Sequence, residues 1–394
     1  MNEVEHVDVL IVGTGPSGSS TALHLIKADP SWAGRITMVD KAVHPREKLC
    51  GGGITHMGQN ILANLGLPME PKSFPVREVR LVYHDKTYSF FGDPAFRIVR
   101  RDEFDHWLVK TVEQLGVRVR QGEAVTGITP HDNYVEVVTE RAVFHAKVVV
   151  AADGSRSFIR RKLKWDDDSG VARLIEVLTP ENPNVEPEFQ EGVAIFDFTP
   201  MDEGLQGYYW DFPSYVKGEA FMNRGVFDSR MRPEKPKANL KEVLSESMAE
   251  RDRSMDDYTL KGHPIHWWDT QAKFAQPHIL LVGDAAGVDP LFGEGISFAL
   301  GYGEVAAAEI VESFAADDLS FSDYPERVRT HSLFRQLRLR TWAANYAYLL
   351  NYPWVVNIGW RIMRVVLQLT PWRNRDYVPT KEPQFRLTDI ASST

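Results

Sequence analysis

Residues 7–18, VDVLIVGTGPSG, constrain the fold more than any other stretch of the chain. Val7, Val9, Leu10, Ile11 and Val12 read as a short strand buried on both faces. The strand runs directly into Gly13-Thr14-Gly15-Pro16-Ser17-Gly18, which has the G-x-G-x-x-G spacing. Ala22, Leu23, Leu25 and Ile26 then recur at helical spacing. Gly13 permits a tight turn, Gly15 lets a pyrophosphate approach the backbone, and Gly18 lets the helix pack on the sheet. The helix that opens at Pro16 offers unpaired N–H groups, from Ser17 onward, and a positive dipole end to phosphates. A second strand, RITMVDK, ends at Asp40, 22 residues beyond Gly18, where a carboxylate meets ribose hydroxyls. Together these features predict a dinucleotide-binding βαβ unit with parallel strands and a right-handed crossover. NAD and FAD both suit such a unit.

The bulk numbers narrow the class. With 394 residues, 43% of them hydrophobic and 25% charged, the chain is long enough for more than one domain around a real core. A net charge of −9 argues against a nucleic-acid protein, since no broad basic face is available for phosphates. One cysteine forms no internal disulfide and implies no oxidising compartment. The start, MNEVEHVDVL, is acidic and unlike a signal peptide, and no apolar run of about 20 residues predicts a spanning helix. A cytoplasmic location is the expectation. No metal site is expected, because Pro264 interrupts the His263 and His266 pair and no acid stands at ligand spacing. No G-x-S-x-G follows a strand, so a nucleophile elbow is not expected either.

Periodicity divides the chain. FDHWLVKTVEQLGVRVRQ reads as helix then strand, and YVEVVTERAVFHAKVVVAADG as a hairpin returning in a buried strand. Alternating or aromatic segments such as REVRLVYHD, GVAIFDF and GEAFMNRGVF read as half-buried antiparallel strands. The expected organisation is α/β. A doubly wound, Rossmann-like domain (1–72, 99–164 and 270–330) is interrupted by an antiparallel β domain (73–98 and 165–269). A C-terminal helical segment (331–394) follows.

Two distant segments make the resemblance specific. VVVAADGSRS places Asp153-Gly154 after one buried strand, and LLVGDAAGVDPLFGEGI places Gly283-Asp284, Pro290, Gly293, Gly295 and Ile296 after another. These motifs resemble flavoproteins with the para-hydroxybenzoate hydroxylase type of fold. PREKLCGGGI (45–54), Tyr208-Tyr209-Trp210-Asp211-Phe212-Pro213 and DPLFGEGI (289–296) are similar, within that fold, to the geranylgeranyl reductase family. The family pattern Y-x-W-x-F-P-K is matched up to its lysine; Ser214 stands there instead, with Lys217 three residues later.

The resemblance implies FAD as cofactor, with a nicotinamide or a small reduced carrier as electron donor. It implies Asp284 on the ribityl chain, N–H groups around Gly293 to Ile296 near the flavin, and Arg101 opening a helix beside it. Lys41, Cys50, Gly51, Gly52, Val125, Asp153, Gly154 and Pro290 complete the implied cofactor set with the residues of the glycine turn and Asp40. The implied reaction is reduction of carbon–carbon double bonds in an apolar, prenyl-like substrate. Tyr208, Trp210 and Phe212 alternate, so on a strand they share one face, suited to stacking on such a substrate. Gly53 and Phe292 are assigned to the same substrate site. A flavin monooxygenase or halogenase acting on an aromatic molecule is the first alternative. A membrane-associated flavin redox or binding module is the second.

KLCGGGIT (48–55) sets Cys50 before three glycines that let backbone pass close to the flavin or substrate. Cys50 is the candidate catalytic group, because a thiol there can act on protons if its surroundings favour the thiolate. Residues 341–360, TWAANYAYLLNYPWVVNIGW, carry no charge and are crowded with Trp and Tyr between flanking arginines. Over 341–372 this predicts either a cap on the substrate cavity or peripheral contact with a membrane.

Overall fold

The computed structural model describes residues 4–165, 170–349, 357–362 and 365. The first sheet runs in the order Ala275–Gln276, Ile279–Leu281, Val143–Ala151, Val4–Val12, Ile36–Asp40, Arg118–Gln121. All pairs from Ile279–Leu281 onward are parallel. A hairpin, Val125–Pro130 and Val135–Thr139, continues antiparallel from the first half of Val143–Ala151. Val9 to Ile11 and Val148 to Ala151 are fully buried, as a parallel sheet covered on both faces requires.

Helix Pro16–Ala28 covers one part of this sheet and starts at a proline, which supplies helical φ where no N–H partner is needed. Helix Ile296–Ala316 lies against it and is buried nearly all round. Small residues bring the two together: a Cβ on Gly303 would lie 2.5 Å from Ser20 Cβ, and the Ser20 hydroxyl donates to the Leu300 carbonyl at 2.7 Å. Gly301 similarly admits Leu333 of helix Ser332–Ala347, whose methyl would sit 2.0 Å from an added Cβ.

The second sheet has eight strands in the order Lys261–His266, Val171–Pro180, Glu219–Asp228, Gly207–Val216, Val193–Asp197, Ser73–Tyr83, Lys86–Val99, Gly53–Thr55. Two features depart from expectation. Val193–Asp197 runs parallel to Ser73–Tyr83, so the sheet is not purely antiparallel; the two come from separate chain segments and no hairpin joins them. Gly53–Thr55, expected in the first domain, pairs with Lys86–Val99 instead and carries the three-glycine loop across to the second sheet.

Along Gly207–Val216 the side chains alternate as a strand dictates. Tyr209 joins a separate apolar cluster with Val243, Leu244 and Met248 of helix Leu240–Ala249. Tyr208, Trp210 and Phe212 belong to the main core, which is continuous between the two sheets. Helices Tyr324–Thr330 and Ser332–Ala347 form the described part of the C-terminal segment. Residues 350–356, 363, 364 and 366–394 of the predicted C-terminal span lie outside the described residues, as do 166–169.

Candidate active site

A single cavity of about 1180 Å³ runs from the glycine turn at the carboxyl ends of the parallel strands to the face of the second sheet. Open parallel sheets place their ligands at this edge. At its first end lie Gly13, Gly15, Pro16, Ser17, Asp40, Lys41 and Val125. Gly13 has φ +107° and sits so close to the next strand that a Cβ would be 2.3 Å from the Ala152 carbonyl oxygen. Gly18 does not line the cavity; its missing side chain lets the helix rest on Ile11 and Ala152. The Asp40 carboxylate accepts from the Thr14 N–H and hydroxyl and from the Ala42 N–H, each at 2.8 Å. It therefore fixes the turn as well as facing the cavity.

Sequence reasoning missed the group that organises the cations here. Asp105, fully buried, accepts a bidentate pair from Arg101 at 2.8 Å on each oxygen and is 3.1 Å from Arg46. Two guanidiniums thus share one carboxylate and leave positive charge facing the cavity. Arg46 Nη2 would be 3.4 Å from a Cβ on Gly15, so it overhangs the turn. The i, i+4 spacing of Arg101 and Asp105 on one helix was the available signal.

Lys48 and His263, 215 positions apart, meet in the cavity wall, Lys48 Nζ hydrogen-bonding His263 Nε2. Burial lowers the Lys48 pKa to about 8, against a raising influence from Asp284. Burial, together with the charges of Lys48 and Arg101, lowers His263 to about 3. His263 is thus a neutral acceptor, and Ser155 approaches the same nitrogen at 3.2 Å. His266 turns elsewhere, to Arg160.

Asp153, Gly154 and Asp284 line the middle of the cavity. Asp153 Oδ2 accepts the Ile159 N–H at 3.0 Å, whereas Oδ1 is buried without a partner, and burial pushes this carboxyl's pKa up. Gly293, Gly295 and Ile296 form the opposite wall. Gly293 has φ +69° and abuts the Phe227 ring, where a Cβ would come within 2.8 Å. Gly295 caps helix Ile296–Ala316 with no side-chain hydrogen bond. Pro290 is not on the cavity; its carbonyl accepts the buried Ser229 hydroxyl at 2.5 Å.

Cys50, Gly51, Gly52 and Gly53 cross between the two ends. A Cβ on Gly51 would be 3.1 Å from the Phe212 ring, so the loop lies directly on the aromatic strand. Asn223 fixes it, donating to the Cys50 carbonyl at 3.1 Å while accepting from Trp210 Nε1 at 2.9 Å. The Gly52 N–H points to Cys50 Sγ at 3.3 Å. Tyr208, Trp210 and Phe212 face the cavity with Phe96, Phe196, Phe227 and Phe292, ring centroids of Phe196 lying 5.0 Å from Tyr208 and 4.9 Å from Phe212. Ser214 is buried with its hydroxyl unpartnered, and Lys217 sits exposed in the hairpin turn, away from the cavity. Lys217 therefore does not stand in for the missing family lysine. Beyond the aromatics, Gln336, Leu339, Arg340, Ala343 and Trp360 complete the wall.

The residues present suit FAD. An orphaned buried carboxylate oxygen calls for a donor, two guanidiniums and a helix start face the same space as the glycine turn, and the apolar end leaves room beside a ring system. When bound, FAD supplies two-electron chemistry.

The comparisons with known proteins agree. A family model described as FAD binding domain matches residues 6–301. The menaquinone reductase of Mycolicibacterium smegmatis is 28% identical over 356 residues, covering 82% of this chain and 80% of the relative. Digeranylgeranylglycerophospholipid reductase 2 of Methanosphaera stadtmanae is 27% identical over 336 residues, covering 82% of each. A crystal structure described as geranylgeranyl bacteriochlorophyll reductase-like, from Thermoplasma acidophilum, superposes with a TM-score of 0.71 at 21% identity, covering 88% of this chain and 89% of that one. It shares the fold.

Proposed function

Because this chain belongs to the FAD-binding-domain family of flavin-dependent oxidoreductases, we propose that it reduces carbon–carbon double bonds of an apolar, prenyl-like substrate. The observation that carries this reading is the aromatic chamber formed by Tyr208, Trp210, Phe212 and Phe196, continuous with the glycine-turn end and closed by the Cys50–Gly53 loop. Such a wall binds length and flatness without demanding polar groups from the ligand. Both sequence relatives above are reductases by name, which supports the same reading.

Reduction adds one hydride and one proton across each double bond. The hydride equivalent belongs to the two-electron chemistry of the bound cofactor, with electrons delivered by a nicotinamide or a small reduced carrier. The chain supplies the proton, and Cys50 is the group we assign. Its loop lies on the substrate wall, and Asn223 anchors the Cys50 carbonyl there at 3.1 Å. The Gly293 N–H is taken by the Asp289 carbonyl at 3.2 Å, so the N–H groups from Glu294 to Ile296, at the start of a 21-residue helix, are the ones that would stabilise negative charge on the bound cofactor.

The test uses chemically reduced holoprotein without air. A polyprenyl compound should reoxidise the flavin and gain two hydrogens per double bond by mass spectrometry. A product that forms only in air and gains an oxygen atom would replace this reading with the monooxygenase alternative.

A further inference from the structure

Helix Ser332–Ala347 is apolar on two faces. Leu333, Phe334, Leu337 and Ala344 are buried against the body of the protein. Leu339, Trp342 and Tyr346, at spacings of three and four, point outward, and Trp342 and Tyr346 touch with ring centroids 4.6 Å apart. Among the described residues eleven large hydrophobic side chains are exposed, and seven of these lie at or beyond Leu339. Ile358, Ile362 and Val365 form a second exposed stripe at helical spacing. Scattered exposed apolar residues are ordinary, but their concentration at one end of a chain marks a binding surface.

We propose that this surface docks on an anionic lipid bilayer, so that the cavity mouth opens against the acyl region. Three observations favour that occupant. Leu339 is 67% exposed and also lines the cavity, so the outward face of helix Ser332–Ala347 reaches the cavity mouth, and Trp360, which lines the cavity too, packs on Phe198. The apolar surface and the apolar cavity are therefore continuous. Arg335 and Arg338 on one helical segment and Arg361 on the other are exposed along these apolar stripes, cations on a chain of net charge −9. Trp and Tyr between apolar and charged residues suit the headgroup boundary. No helix among the described residues is long and apolar enough to cross a membrane, so the contact lies on the surface. This inference rests on the apolar-substrate reading only in naming the phase from which substrate enters.

The test is flotation of FAD-loaded full-length protein with phosphatidylcholine vesicles, with and without phosphatidylglycerol. The protein should rise with the anionic vesicles and be released by high salt. The double substitution Trp342→Ser/Tyr346→Ser should lower vesicle partitioning about tenfold or more, the loss of two buried rings. Neither residue lines the cavity, so the variant should retain bound flavin and the wild-type unfolding temperature. Wild-type protein that stays with neither vesicle type, or a double variant that floats equally well, overturns the proposal. A wild-type dimer that the double substitution converts to a monomer, with neither floating, assigns the surface to a second copy of the chain. Flotation is read without turnover, so a failed reductase assay leaves it standing.

Discussion

Arg340 donates to Asp289 at 2.6 Å and to Glu294 at 2.7 Å, so one guanidinium ties helix Ser332–Ala347 to the turn preceding helix Ile296–Ala316. Glu294 also accepts the Thr55 hydroxyl at 2.7 Å, which extends the tie to the end of the glycine loop. Asp289 is fully buried, and removing its cation leaves an uncompensated charge. Arg340→Met should therefore destabilise the protein by about 3 kcal/mol. Adding Asp289→Asn and Glu294→Gln should restore part of the loss. Thermal unfolding of the three proteins checks this, and an Arg340→Met protein that melts with wild type removes the tie.

Gly52 and Gly154 share a φ of +80° but differ in surroundings. A Cβ on Gly52 would lie 2.1 Å from the Val99 carbonyl oxygen, whereas nothing lies within 4 Å of one on Gly154. Gly154→Ala should cost only the left-handed backbone penalty, about 1–2 kcal/mol. Gly52→Ala should cost clearly more, because a strand carbonyl must move. Urea unfolding of both variants measures the difference; equal costs would mean that the loop shifts freely.

The glycine turn, the aromatic face and the interrupted sheet were legible because each is a local pattern. Spacing along a few residues sets the turn at Gly13, and the period of two sets Tyr208, Trp210 and Phe212 on one side. What escaped depends on partners far away in sequence. Lys48 reads as an ordinary surface lysine until the second sheet brings His263 to it. Arg340 reads as one of several tail arginines until Asp289 and Glu294 arrive beside it. The parallel placement of Val193–Asp197 against Ser73–Tyr83 leaves no trace in either strand's own periodicity, since pairing direction is decided by the connections. The polar residues that shape the site are visible in composition, but their pairing is not.

Glu176 supplies a pH dependence. It is 4% exposed, one carboxylate oxygen has no partner, and it lies near the Cys50 peptide and Asn223. Burial raises its pKa from 4.5 to about 7, opposed by Arg100. Below about pH 4.5 both folded and unfolded forms hold the proton, and the group contributes no difference. Between 4.5 and 7 the unfolded chain ionises first, so stability falls as pH rises, and above 7 the full cost is present. Glu176→Gln should remove that slope and gain about 3 kcal/mol over wild type at pH 8 relative to pH 4.5. Denaturant unfolding across this range decides it; parallel curves for the two proteins would exclude a buried acid there.

Cys50 separates chemistry from packing. Its thiol lies in a loop fixed through the Cys50 carbonyl by Asn223, so Cys50→Ala leaves that anchor in place. The variant should retain FAD and lose about a hundredfold in turnover, the scale of a missing proton donor. Full activity would return Cys50 to the role of a small wall residue.

Ser20 and Leu300 are hydrogen-bonded across 280 positions, and the strand Ile279–Leu281 joins the first sheet only after every strand of the second has been made. On a ribosome the glycine turn is thus among the first parts synthesised, and the sheet behind it is among the last to be completed. Its half-built sheet waits with an open edge through most of translation, a period in which chaperones and self-association compete for it. Cofactor capture should therefore be a late event in the life of the nascent chain. Translation intermediates halted before Ile279 should carry no flavin fluorescence change, and those released at full length should.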